Sequence, residues 1–164
     1  MIILAIDPGF GRCGVAVLEG EGSKVALIHS ACIETDAKEN FSARLFEVAN
    51  EILRLINEYK PGLMAIEELY FTNNAKTALR VAEVRGMLIY LAVSQHTPLV
   101  EYNPLAIKMA ITGYGRASKA QVLRMVEKLI QLPPKKMLDD EYDAIALGLT
   151  ALPGVRWSEI HASK

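Results

Sequence analysis

The sequence predicts an α/β fold: a mixed sheet with helices packed on its faces. Three observations predict it. The chain opens on a continuous, isoleucine-rich apolar run at 2–6, the pattern of a central strand covered on both faces. Two further strand-like segments follow it, so that the first 34 residues read as a meander. Beyond them, helical and strand-like periodicities alternate to the end of the pattern near Leu152.

Each element has its own signal. Residues 14–18 and 25–34 are expected strands, joined to the first and to each other through the turns DPGFGRC and EGEGS, which makes the meander antiparallel. Over 41–59 the period changes: Leu45, Val48, Ala49, Ile52, Leu55, Ile56 and Tyr59 share one face, and Pro61 and Gly62 end this amphipathic helix. Residues 63–67 form a short apolar strand that finishes in acid. A long helix is expected from about 74 to 94, a strand near 99–102, a short helix from Pro104 and an amphipathic helix over 119–130. Pro133 and Pro134 break the pattern before a last helix at 139–152. One domain is expected over 1–152, long enough to bury roughly 70% of the surface its unfolded chain exposes. Residues 153–164 are expected to form a short, flexible tail.

Composition narrows the function. Cys13 and Cys32 have no CxxC spacing, and His29, His96 and His161 stand apart, which argues for reduced core thiols and against a zinc site. The opening apolar run lacks a basic leader and is expected to be a strand, not a signal peptide. The longest uncharged stretch, 86–100, is shorter than the roughly 20 apolar residues of a membrane span and contains Ser94, Gln95, His96 and Pro98. A cytoplasmic protein without membrane contact is expected. The net charge of -1 conceals an asymmetry: residues 76–136 hold ten Lys and Arg against three Glu, +7 there and -8 elsewhere. Such a basic stretch suits a local footprint for phosphates.

Acidic residues stand at corresponding places. MIILAID and LMAIEE both end in carboxylates, and ligands of open α/β sheets sit at the carboxyl ends of strands. Asp7 and one of Glu67 or Glu68 are therefore expected neighbours, only one of the pair facing Asp7 because successive strand side chains alternate. In DDEYDAIALGL, Asp140 and Asp143 share a helix face. Helix capping is an equal explanation for Asp139 and Asp140, but not for Asp143. Gathered carboxylates repel by about 4 kcal/mol per pair at 4 Å and an effective dielectric of 20, so cations must offset them. An all-oxygen set without His or Cys favours Mg²⁺, with Mn²⁺ as the alternative.

The segment NPLAIKMAITGYGRASKAQVLRMV carries the matching positive charge. Ser118 and Gln121 form a capping box, which sets backbone N–H groups beside Arg116 and Lys119; Gly113 and Gly115 allow close approach, Tyr114 can stack, and Lys108 adds charge from the preceding helix. A glycine-rich connector with surface lysines explains each residue singly, though less well the combination. In YFTNNAK, Tyr70 and Phe71 lie in a polar loop, as aromatics that enter opened nucleic acid or as anchors of the loop itself.

Taken together, IDPGFGRCG, MAIEELYFTNNAKTAL, RVAEVRG, IKMAITGYGRASKAQV and DDEYDAIALGL resemble the RuvC Holliday-junction resolvase family, in order and at family-like spacing, across nearly the whole chain. The resemblance implies a ribonuclease-H-like fold with a mixed five-stranded sheet, a homodimer, and cleavage of four-way DNA junctions by paired symmetric nicks. It implies two Mg²⁺ ions per site, and partners of the branch-migration type exemplified by RuvA and RuvB. It carries catalytic and metal-binding roles onto Asp7, Glu67, Asp140 and Asp143, choosing Glu67 over Glu68. Lys108 and Lys119 take the place of lysines near the scissile phosphate. The implied DNA-binding set is Tyr70, Phe71, Asn74, Lys76, Arg80, Lys108, Tyr114, Arg116, Ser118 and Lys119. The chain departs from the pattern at Asp140, where many relatives carry histidine, and at Tyr70, where others have phenylalanine. The implied dimer contact is the long helix after Asn74, around Arg85 and Gly86. Two other readings are an ATPase domain of the actin and sugar-kinase type, which shares the strand and DxG turn, and a non-catalytic junction-binding protein. Nucleotide-dependent melting separates the first, and a Mg²⁺-dependent nicking assay the second.

Overall fold

The computed structural model describes residues 1–21, 24–69 and 75–162. In chain order the elements are β1 (Ile2–Asp7), β2 (Arg12–Glu21), β3 (Lys24–Glu34), α1 (Phe41–Tyr59), β4 (Leu63–Glu67), α2 (Ala75–Ser94), β5 (Leu99–Tyr102), α3 (Pro104–Thr112), α4 (Lys119–Leu129) and α5 (Asp139–Ala162). The sheet runs β3-β2-β1-β4-β5. β1 pairs antiparallel with β2 and parallel with β4, β2 pairs antiparallel with β3, and β4 parallel with β5. The expected meander and mixed five-stranded sheet are both present.

Alternation along β1 divides the interior into two layers. Ile3 and Ala5 join Ala16, Leu18 and Ala65 under α3, α4 and α5. Leu4 and Ile6 join Val15, Val17, Met64 and Ile66 under α1 and α2. All of these strand residues are fully buried, each large one contributing about 1.5–3 kcal/mol. That is why the opening run shows no polar alternation: it is a central strand with a helical layer on either face.

The layers change hands in β3. Leu27 faces Leu18 and His29 faces Val17, which leaves Ile28 as an extra residue in the pairing. Before it Val25 and Leu27 pack with the α5 layer; after it Ala31 and Ile33 pack with the α1 layer.

α5 lies against the sheet at close range. A Cβ on Gly14 would stand 1.9 Å from the Asp140 carbonyl oxygen, and one on Gly148 would stand 2.3 Å from Leu18 Cδ1. Only glycine permits the first approach, which is to main chain; at the second, the Leu18 side chain would have to move. The α5 backbone runs to Ala162, whereas Pro153 predicts an end at Leu152. Among the described residues, no helix is long and apolar enough to cross a membrane.

Candidate active site

Because β1 and β4 are parallel and in register at Ile6 and Ile66, Asp7 and Glu67 leave the sheet side by side. Glu68 follows, exposed and at the edge of a cavity that Asp7 and Glu67 also line, and its N–H donates to Tyr102 O at 2.8 Å. The first turn of α5 is brought over Asp7 by Gly14, which pairs with Asp7 on β2 and touches the Asp140 backbone. Asp140 and Asp143 thereby join the strand carboxylates. The fourth wall is α4, whose start is fixed by the expected capping box: Gln121 N donates to Ser118 Oγ, and Ser118 N to Gln121 Oε1.

These groups act on one another strongly. The Asp7 carboxyl is pushed up to about 8, chiefly by burial, then by the charges of Glu67, Asp143 and Asp140, with Lys119 opposing. Glu67 is also raised, by burial first and then by Asp143, while a hydrogen bond from Asp7 and the charges of Lys108 and Lys119 pull the other way. Burial and crowding by like charges thus disfavour having both strand carboxylates ionised together.

The chain's own cations neutralise the rest. Lys119 Nζ lies 2.8 Å from Asp143 Oδ2 and 3.6 Å from Asp139 Oδ2. Burial works against the Lys119 charge, but Asp143 outweighs it and holds the ammonium above its ordinary range. Arg12 Nε stands 3.2 Å from Asp140 Oδ2, a charge contact without hydrogen-bond geometry, so that this buried oxygen accepts no hydrogen bond. Arg12 lies within IDPGFGRCG but is absent from the site residues expected from the sequence; its position at the end of the turn after Asp7 is the signal for it.

The donor set fits a hard divalent cation. Asp140 Oδ2 is an orphaned buried acceptor, and the buried carboxyls of Asp7 and Glu67 repel each other in a way that a cation would relieve. Among the described residues no three such side chains already stand as a ligand set; Asp143 and Asp140 are paired with Lys119 and Arg12. A cavity of about 250 Å³ opens beside them, lined by Glu67, Asp143, Lys108 and Lys119 with Pro104, Ile107, Val122 and Ala146. Anionic and cationic groups thus face each other across a space with room for a phosphate.

The remaining expected DNA contacts are less concentrated. Tyr114, Arg116 and Ser118 are exposed around the α3–α4 connection, where Gly113 takes the left-handed conformation at φ 73°. Arg80 turns toward α1: its guanidinium carbon lies 4.0 Å from the Phe41 ring centre, and Nη1 pairs with Glu83 at 3.0 Å. Tyr70, Phe71, Asn74 and the Lys76 side chain lie outside the described residues. Arg85 points inward: Nη1 donates to the Glu67 carbonyl at 2.6 Å, and Nη2 lies 3.0 Å from Glu101 Oε2.

A mixed sheet that delivers carboxylates from parallel strands to a lysine-lined cavity defines the class of divalent-metal phosphodiesterases. Within that class the family model described as crossover junction endodeoxyribonuclease RuvC matches residues 3–151. The chain belongs to the RuvC family. It is 42% identical to the crossover junction endodeoxyribonuclease RuvC of Ruminiclostridium cellulolyticum over 149 residues, covering 91% of this chain and 90% of that protein. It is 41% identical to the RuvC of Petrotoga mobilis over 146 residues, covering 89% and 90%. Among solved structures it resembles T. thermophilus RuvC in complex with Holliday junction substrate, with a TM-score of 0.89, 27% identity and 96% of both chains covered.

Proposed function

We propose that this chain, as a RuvC-family endodeoxyribonuclease, resolves four-way DNA junctions by paired symmetric nicks that leave 5′-phosphate and 3′-hydroxyl ends. The observation that carries the reading is the meeting of Glu67 and Asp143 with Lys108 and Lys119 around one cavity, with Asp7 beside Glu67 at the neighbouring strand end. Asp7 and Glu67 from the sheet, and Asp140 and Asp143 from α5, are the residues that would hold Mg²⁺, two ions per site. Divalent ions bound there supply a water of lowered pKa and relieve charge on the leaving 3′ oxygen.

The chain's own groups do the rest. Lys119, which now pairs with Asp143, and Lys108 from α3 line the same cavity, where their ammonium groups would hold a phosphate and stabilise its charge. Tyr114, Arg116 and Ser118 lie where the flanking backbone would pass, and Tyr70, Phe71, Asn74, Lys76 and Arg80 complete the contact to the junction. The active unit is a homodimer, since two-fold symmetry presents two sites to a two-fold substrate. In support, α2 exposes Leu79, Ile89, Tyr90 and Val93, an apolar stripe of the kind that marks a protein interface. The working form is a single domain over 1–152, acting in the cytoplasm alongside branch-migration proteins of the RuvA and RuvB type.

The test is Mg²⁺-dependent nicking of a synthetic four-way junction and of a linear duplex of the same sequence. Wild type is expected to cut the junction in pairs and spare the duplex, and Asp7→Asn to bind the junction without cutting. Unchanged nicking by Asp7→Asn, or equal cleavage of the duplex, overturns the reading.

A further inference from the structure

Arg85 sits on α2, beside exposed Glu83, Gly86, Ile89 and Tyr90, yet its own side chain is only 13% exposed. It turns inward to the end of β4. Glu67 closes that strand, one residue beyond the last pair with β1 at Ile66. On one side the neighbouring Glu68 N–H is held by Tyr102 O of β5 at 2.8 Å. On the other, the Glu67 carbonyl, which has no ladder partner on β1, accepts from Arg85 Nη1 at 2.6 Å. A guanidinium withdrawn from water to serve one carbonyl needs a counter-charge, and Glu101 on β5 supplies it at 3.0 Å. A single planar fork therefore ties α2, β4 and β5 together at the main chain of Glu67.

We propose that Arg85 is a positioning residue for the metal site: by clamping the Glu67 carbonyl it fixes the peptide from which the Glu67 carboxylate projects toward Asp7. The inference rests on the reading of Glu67 as a metal ligand. Outer-shell partners of ligands typically cost 10–100-fold in metal affinity or activity when removed.

The experiment titrates the full-length protein with Mn²⁺ by calorimetry in the absence of DNA, and in parallel finds the Mn²⁺ concentration that gives half-maximal junction nicking. Arg85→Ala is expected to weaken Mn²⁺ binding about 10-fold and to raise the half-maximal concentration in proportion, with junction binding in EDTA unchanged. Arg85→Lys is expected to recover part of the loss, since an ammonium reaches the carbonyl or Glu101 but cannot bridge both in a fixed fork. Glu101→Gln, which leaves the carbonyl bond in place, falls between wild type and Arg85→Ala. A purely structural arginine would lower the melting temperature and the active fraction while leaving both Mn²⁺ midpoints at wild-type values, and that result overturns the proposal. If Arg85→Ala does not fold, Arg85→Lys and Glu101→Gln decide by the same midpoints. Glu67→Gln separates the two readings. Wild-type Mn²⁺ binding and nicking in that variant overturn Glu67 as a ligand; loss there with unmoved Arg85 and Glu101 variants overturns the role of Arg85 alone.

Discussion

Glu141 stands between Asp140 and Asp143 but is 4% exposed, with a structural task. Its carboxylate accepts from Ser30 Oγ at 2.9 Å, Lys135 Nζ at 2.8 Å and Leu138 N at 3.2 Å, which fastens the start of α5 to β3 and to the loop before it. Burial disfavours its charge, yet the bonds from Lys135, Ser30 and Leu138 prevail and hold the carboxyl below its ordinary range. A depressed carboxyl stabilises the fold fully above its unfolded pKa, about 4.3, and loses that contribution as pH falls through the folded value. Wild type is therefore expected to lose stability on acidification below about pH 4.3 more steeply than Glu141→Gln, which has no charge there to lose. Urea midpoints across pH 3 to 7 check this. Glu141→Ala, which leaves buried donors unmatched, is expected to cost about 1–3 kcal/mol at pH 7.

Among the elements, α5 is the one whose placement assembles the site, and it depends on small residues beneath it. Gly14→Ala would drive a Cβ into the Asp140 carbonyl, a main-chain contact that cannot swing aside. The expected cost is about 1–3 kcal/mol of unfolding free energy, with nicking reduced further than junction binding because Asp140 is pushed away from Asp7. Denaturant unfolding and a paired binding and nicking assay measure both. Much of this level was legible in the sequence. The strand order of appearance, the amphipathic face of α1, the capping box of α4 and the choice of Glu67 as the neighbour of Asp7 all followed from local periodicity, turn chemistry or the family resemblance. Other features depend on distant contacts. β2 extends to Arg12 and Glu21 because β1 and β3 supply ladder partners at both ends, whatever the local propensity. The extra residue at Ile28 is invisible in a run that reads as one continuous strand. Arg85, a basic residue in a helix expected to make the dimer contact, has an inward course fixed by a carbonyl 18 positions earlier in the chain. The cations that occupy Asp140 and Asp143 come from two separate elements, so spacing alone could not pair them.

For the molecule as a whole, the outer stripe of α2 sets the prediction. Tyr90 and Val93 are each 70% exposed, large apolar surfaces one helical turn apart. In the homodimer reading, Val93→Asp places a charge in that interface. It is expected to sediment as a monomer, and to leave junctions cut on one strand where wild type cuts two. A dimer of unchanged mass together with paired cuts would show that the stripe is not the contact. The opposite border of the sheet, β3, carries the interruption at Ile28, and Lys135 reaches over to its Ser30 carbonyl at 2.9 Å. An unbroken border strand is a template on which foreign strands can stack and grow into insoluble fibrils; a kinked one with a lysine across it is a poor template for such growth.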